Sequence, residues 1–191
     1  MHAYNDILRN AGPSFRTILL HLANLPPPHP TAPPGALIHC TAGKDRTGIF
    51  FGLLLSFLGV APETIAAEYN LTEQGLADIR EDVVRRLMLS IGFKKCMAAQ
   101  GSVSPERLEE LVTSHGVGTE ASLGDEERRV LELGRRGALR MVGASRETMV
   151  RSLEMVDKEF GGAEKYMREY CGLGDEELEG LRRNLVVGDG A

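Results

Sequence analysis

Cys40 and Arg46 stand six positions apart in the stretch ALIHCTAGKDRTGIFFGLLL, residues 36–55, with Lys44 and Asp45 between them and a long apolar run behind. Cysteine is a nucleophile as its thiolate, a form favoured where backbone donors, a helix start and nearby cations stabilise negative charge. A loop of small residues that feeds a helix provides such a place. The first backbone N–H groups of the helix lack intrahelical partners, and the helix dipole adds partial positive charge there. Ala42 and Gly43 let the chain curl so that the amides of residues 41–46, starting at Thr41, point inward as an anion nest. Arg46 offers two parallel N–H donors to two oxygens of a tetrahedral oxyanion. Lys44, elsewhere a solvated charge, adds positive potential inside this loop. The chemistry these groups support together is attack of a thiolate on phosphorus, with the equatorial oxygens held by amides and guanidinium.

Such a loop needs elements on both sides. The four residues ALIH, 36–39, read as a buried strand, and GIFFGLLLSFLGV, 48–60, as a core helix too short to cross a bilayer. Upstream, SFRTILLHLANL has helical spacing before the Pro-rich connector 26–35, PPPHPTAPPG. Gly59 and Pro62 mark a helix stop and a new start, and residues 62–92 read as two or three helices. Ser104 caps a further helix with Glu106 in its first turn, residues 117–128 form a mobile loop, and the tail from Ser145 holds three helices punctuated by GG and GLG. One strand alone leaves both edges unpaired. The other strands are expected either from weak segments such as RMVG, 140–143, or in an N-terminal part that this chain lacks. The expectation is therefore one α/β domain over residues 1–191, heavily helical, with a small and incomplete sheet, an exposed apolar surface and a tendency to self-associate.

Composition narrows the partners. A hydrophobic fraction of 42% and a charged fraction of 26% are those of an ordinary globule, and a net charge of -5 argues against nucleic acid. Three cysteines without metal-like spacing, and an N-terminus MHAYNDILRN without an apolar core, point to a reduced cytoplasmic setting with no metal, no cofactor and no transmembrane segment. Cys96 and Cys171 read as small buried hydrophobes, and Met141, Met149, Met155 and Met167 as core filler.

The segment HCTAGKDRTG resembles the H-C-x5-R-[ST] signature of cysteine-dependent protein tyrosine phosphatases, and more narrowly the HCxxGKDRTG loop of the microbial tyrosine and phosphoinositide phosphatase-like group. YNDIL, EYNLTEQGL and GGAEKYMREYCGLGDEELEGLR resemble the C-terminal part of the same group. The chain departs from the pattern in having no RD-x-G segment ahead of its first helix, no WPD-like acid loop and no tryptophan. The resemblance implies a phosphatase-like fold, with Cys40 as nucleophile and Arg46 and the Thr41, Ala42, Gly43 and Lys44 stretch holding phosphate. It implies that His39 hydrogen-bonds the loop and helps set the thiolate, and that Thr47 supports the departing thiolate; capping the helix is the other use of Thr47. For Asp45 it implies proton donation to the leaving oxygen, against the plainer role of pairing with a cation or capping. Asp78 and Asp82 are weaker substitutes, and Tyr69, Glu73 and Gln74 follow the central helix at a distance that spacing does not define. The expected function is hydrolysis of phosphate monoesters through a cysteinyl-phosphate, on protein phosphotyrosine first and phosphoinositides second, with affinity for phosphate-like anions. The rival is an inactive phosphate-binding or interaction module. A thiol redox or arsenate-reducing enzyme is disfavoured, since no resolving cysteine stands at a telling distance.

Overall fold

The computed structural model describes residues 2–26, 35–99, 103–115 and 124–186. Every regular element among them is a helix. In chain order these are α1 (His2–Ala23), α2 (Asp45–Phe57), α3 (Pro62–Asn70), the single turn α4 (Thr72–Gly75), a 3-10 turn (Ala77–Ile79), α5 (Arg80–Leu89), α6 (Ile91–Ala99), α7 (Pro105–His115), α8 (Asp125–Val142), α9 (Arg146–Met155), a π-helical turn (Val156–Phe160), α10 (Ala163–Glu169) and α11 (Asp175–Leu185). The chain divides into two compact units, residues 1–72 with 144–191, and residues 73–143.

The expected α/β class is corrected. Residues 35–40 form no strand, Leu37 at its centre is 90% exposed, and Arg140 to Val142 of the RMVG segment close helix α8. The physical reason is that a strand is held by a ladder to a neighbour, and the described residues contain no second extended segment to supply one. ALIH is apolar enough for a sheet interior, but apolarity without a partner strand leaves it an extended connection into the loop. Of the Pro-rich connector 26–35, residues 27–34 lie outside the described residues, as do 117–123 of the loop 117–128; Asp125 to Arg128 of that loop open α8.

In the first unit α1 places Tyr4, Leu8, Phe15, Leu19 and Leu22 on one buried face, the spacing an amphipathic helix uses, and keeps Pro13 on the solvent side. Helix α1 packs on α2 and α11, and α2 on α3, α9 and α10. Ile49, Phe50, Leu53, Leu54 and Phe57 of α2 are all buried, and Phe50 meets Phe15 edge to face at 5.2 Å. Tyr166 of α10 is fully buried and its hydroxyl donates to the Leu8 carbonyl at 2.7 Å. Pro62 opens α3 as the proline-at-helix-start rule requires, and Gly161 closes the π-helical turn in the left-handed region.

The second unit has a separate core in which Val84 and Met88 of α5, Leu108, Leu111 and Val112 of α7, and Leu131 and Ala138 of α8 come together. Ser104 caps α7, accepting from the Arg107 N–H at 3.2 Å. Two further expectations are corrected here: Cys96 is exposed on α6, and Met141 is 54% exposed near the end of α8. Both fall on the outward faces of amphipathic helices, a placement that residue type alone does not reveal. Cys171, Met149, Met155 and Met167, in the first unit, are buried.

Because Leu8 is fully enclosed and Tyr166 bonds to its carbonyl, the two side chains tie α1 to α10. Leu8→Ala is expected to cost about 2–5 kcal/mol as a cavity opens. Tyr166→Phe, which keeps the ring and removes the bond, is expected to cost about 1 kcal/mol. Urea denaturation followed by circular dichroism checks both, and a larger loss for Tyr166→Phe than for Leu8→Ala would contradict this packing.

Candidate active site

Residues 41–44 turn the extended segment into α2, and Gly43 sits at φ +65, in the left-handed region that glycine enters without strain. The turn brings Cys40 back beside Thr47. The Cys40 N–H donates to the Thr47 Oγ1 at 2.8 Å, so that hydroxyl accepts from the backbone and its own hydrogen is left for the Cys40 Sγ. Partial burial pushes the thiol up. Hydrogen bonds from the Thr47 hydroxyl and from the backbone N–H groups of Thr47, Ala42 and Lys44 outweigh that effect and lower the pKa from the ordinary 9.0 to about 6. Burial does the opposite at Cys171, where it raises the thiol to about 11 despite the nearby charge of Arg16.

The remaining loop residues also have defined partners. Arg46 is exposed, and its Nη2 donates to the Thr41 Oγ1 at 3.0 Å, which swings the guanidinium back over the loop. The Nδ1 of His39 lies 3.0 Å from the Cys40 carbonyl oxygen; that oxygen only accepts, so Nδ1 carries the proton. Lys44 is only 5% exposed, and its Nζ lies 3.1 Å from the Asp45 Oδ1. Asp45 opens α2, where its carboxylate complements the positive end of the dipole. A cleft of about 400 Å³ opens beside Cys40 and Arg46, walled by Ile7, Ala11 and Phe15 of α1 and Phe50 of α2.

Two residues not singled out by spacing shape the site. Tyr4 of α1 donates to the Asp45 Oδ1 at 3.0 Å, and its hydroxyl lies 2.7 Å from that of Tyr69 in α3. Its place on the buried face of α1 follows from the helical register, but nothing in the sequence signals that it meets a residue 41 positions away. Gly48 is the second. A Cβ there would stand 2.6 and 2.8 Å from the Tyr69 ring, so only glycine lets α3 bring that ring against α2. Of the residues expected to follow the central helix, Tyr69 therefore joins the site. Glu73 pairs with Arg80, Gln74 is exposed, and Asp78 and Asp82 are exposed in the 3-10 turn and in the first turn of α5; all four belong to the other compact unit.

In a Cys96→Ser background, alkylation of Cys40 by iodoacetamide is expected to have its midpoint at about pH 6, while Cys171 stays unreacted until the chain is denatured. Thr47→Val removes a donor to the thiolate and is expected to move that midpoint up by about 1 to 2 pH units. A midpoint unmoved by the valine would contradict the Thr47 contribution.

Comparison with known proteins identifies the family. The profile of the tyrosine phosphatase family matches residues 1–187. A tyrosine-protein phosphatase of Nostoc commune is 29% identical over 184 residues, 96% of this chain and 48% of the relative. A candidate tyrosine-protein phosphatase of Cupriavidus necator is 47% identical over 51 residues, 27% of this chain and 19% of the relative. The chain thus spans about half, or less, of the length of these curated relatives. No solved structure matches it. With a match along nearly its whole length, and a cysteine and an arginine joined through one loop at a helix start, the chain belongs to the tyrosine phosphatase family.

Proposed function

We propose that this chain hydrolyses phosphate monoesters through a cysteinyl-phosphate intermediate, with protein phosphotyrosine as the leading substrate and phosphoinositides second. The observation that carries the reading is the loop that sets Cys40 against Thr47 at the head of α2, that turns Arg46 back over Thr41, and whose donors bring the Cys40 thiol to about 6. At neutral pH most of it is thiolate. Cys40 Sγ attacks phosphorus as the ester P–O bond breaks; the S–P bond forms and the bonding electron pair stays on the leaving oxygen. Asp45 gives that oxygen a proton and becomes a carboxylate. A water then attacks phosphorus, yields its proton to Asp45, and the S–P bond breaks to release phosphate and the thiolate. Arg46 and the inward amides of residues 41–46 hold the equatorial oxygens as charge builds on them. Thr47 receives the returning thiolate with the same hydroxyl that lowers its pKa.

The cleft supports the substrate order. Its Ile7, Ala11, Phe15 and Phe50 walls suit the flat apolar ring of phosphotyrosine, whereas an inositol would bring hydroxyls that those walls leave without partners. Asn10 and Ser14 at the same cleft are the polar groups that a more hydrophilic substrate would use.

The test is turnover of 4-nitrophenyl phosphate and of a phosphotyrosyl peptide. Cys40→Ser is expected to abolish both, and Arg46→Lys to lower kcat/KM by about 100-fold or more, since an ammonium cannot hold two oxygens in parallel. Below about pH 6, kcat/KM is expected to fall as Cys40 takes up a proton. Vanadate is expected to raise the melting temperature of the wild type and not of Arg46→Ala. Vanadate binding without turnover would overturn the reading in favour of a phosphate-binding module.

A further inference from the structure

Asp45 has one carboxylate oxygen tied and one left over. Both of its polar contacts among the described residues fall on Oδ1, from the Tyr4 hydroxyl at 3.0 Å and from the Lys44 Nζ at 3.1 Å. The Tyr4, Tyr69 and Lys44 anchors are 6%, 4% and 5% exposed, whereas half of the Asp45 side chain is open to solvent. A phenol has one hydrogen to give, and Tyr4 gives it to a group that accepts, so across the 2.7 Å contact Tyr69 is the donor and Tyr4 the acceptor. The chain of hydrogen bonds therefore runs one way, from Tyr69 to Tyr4 to Asp45. Burial, then the facing Tyr69 hydroxyl, then the Asp45 carboxylate keep Tyr4 protonated throughout the working pH range, so its donor role persists.

We infer that Tyr4 is a positioning residue for proton transfer: its hydroxyl anchors the Asp45 Oδ1 and thereby assigns Oδ2 as the oxygen that carries the proton to the leaving group. The inference rests on the phosphatase reading above and specifies how its acid is held. Oδ1 faces two donors and has no room for a hydrogen of its own. A proton on Asp45 therefore resides on Oδ2, and Oδ1 accepts from Tyr4 in both protonation states. An unanchored aspartate at a half-exposed helix start would sample several rotamers, each carrying the proton in a different direction. The bond from a buried phenol on α1 selects one. The hydroxyl is separable from the packing, because the Tyr4 ring fills the core with or without it.

Leaving-group dependence tests this, since phenolate needs a proton to depart and 2,4-dinitrophenolate does not. Tyr4→Phe is expected to lower kcat/KM on phenyl phosphate about tenfold or more, leave 2,4-dinitrophenyl phosphate within about twofold, and retain the vanadate-induced rise in melting temperature. Asp45→Asn is expected to show the same split, and the double variant to lose little beyond Asp45→Asn, because both act through one carboxylate. Tyr69→Phe is expected to show a weaker split in the same direction, and it stands as the test should Tyr4→Phe lose the vanadate response. An equal fall on both substrates would assign Tyr4 a structural role, and no fall on either would show Asp45 to be oriented without it. Full additivity with Asp45→Asn would separate the two residues. Each of these overturns the positioning role while leaving the phosphatase reading intact. A wild type inactive on both substrates would overturn the phosphatase reading, and this one with it.

Discussion

The constraint on which the site depends is the stabilisation of negative charge at one sulfur. A thiolate at partial burial is disfavoured by its loss of hydration, and at Cys40 that loss is outweighed by a hydroxyl and three backbone amides directed at the same atom. The Thr47 amide is available because it lies in the first turn of α2, where the backbone has no earlier carbonyls to use, and the Ala42 and Lys44 amides because they lie in the turn ahead of it. Everything around the loop serves to hold it in register: Gly43 takes the left-handed turn, the Cys40 N–H fixes the Thr47 hydroxyl, and α2 behind it is pinned by five buried apolar side chains. The rigidity of α2 thus becomes the rigidity of the loop.

A second layer of polar groups lies beneath the loop. Burying two phenols and an ammonium is costly unless each finds partners, and here Tyr69 and Tyr4 form a chain that ends on the half-exposed carboxylate of Asp45, which Lys44 meets separately. Three helices are committed to this chain, since Tyr4 comes from α1, Asp45 from α2 and Tyr69 from α3, and the missing side chain of Gly48 is what allows the last of these to reach the others. Such a satisfied network gains directional definition from burial, in contrast to the many exposed ion pairs such as Arg151 with Glu147 or Arg136 with Glu132, which contribute little.

The two compact units rest on separate apolar cores. All of Cys40, Asp45, Arg46, Thr47, Tyr4 and Tyr69 lie in the first, where Tyr4 joins the cluster built on Leu8, Phe15 and Phe50, and Tyr69 a further cluster with Ile65, Met149 and Leu153. The second is bound by α5, α7 and α8, whose Met88, Leu108 and Leu131 interlock.

By itself the sequence determined which side chains share the loop. A thiol, small residues, a cation and a guanidinium in one loop ahead of an apolar run can be read without coordinates, because the spacing within a loop is local and the donors of a helix start follow from backbone geometry. Helix boundaries at Gly59, Pro62, Ser104 and Gly161 were legible for the same reason, each resting on one residue's own backbone preference or, at Ser104, on its capping hydroxyl. The strand at 36–39 was misread, because a strand is a relation between two segments and an apolar run states only one side of it. Cys96 and Met141 were misplaced because burial depends on which face of a helix meets the core. Only the tertiary structure decided that Tyr4 meets Asp45 across 41 residues and that Gly48 makes room for Tyr69. Contacts between distant segments are set by how helices pack, and packing is a property of the assembled core that no local spacing encodes.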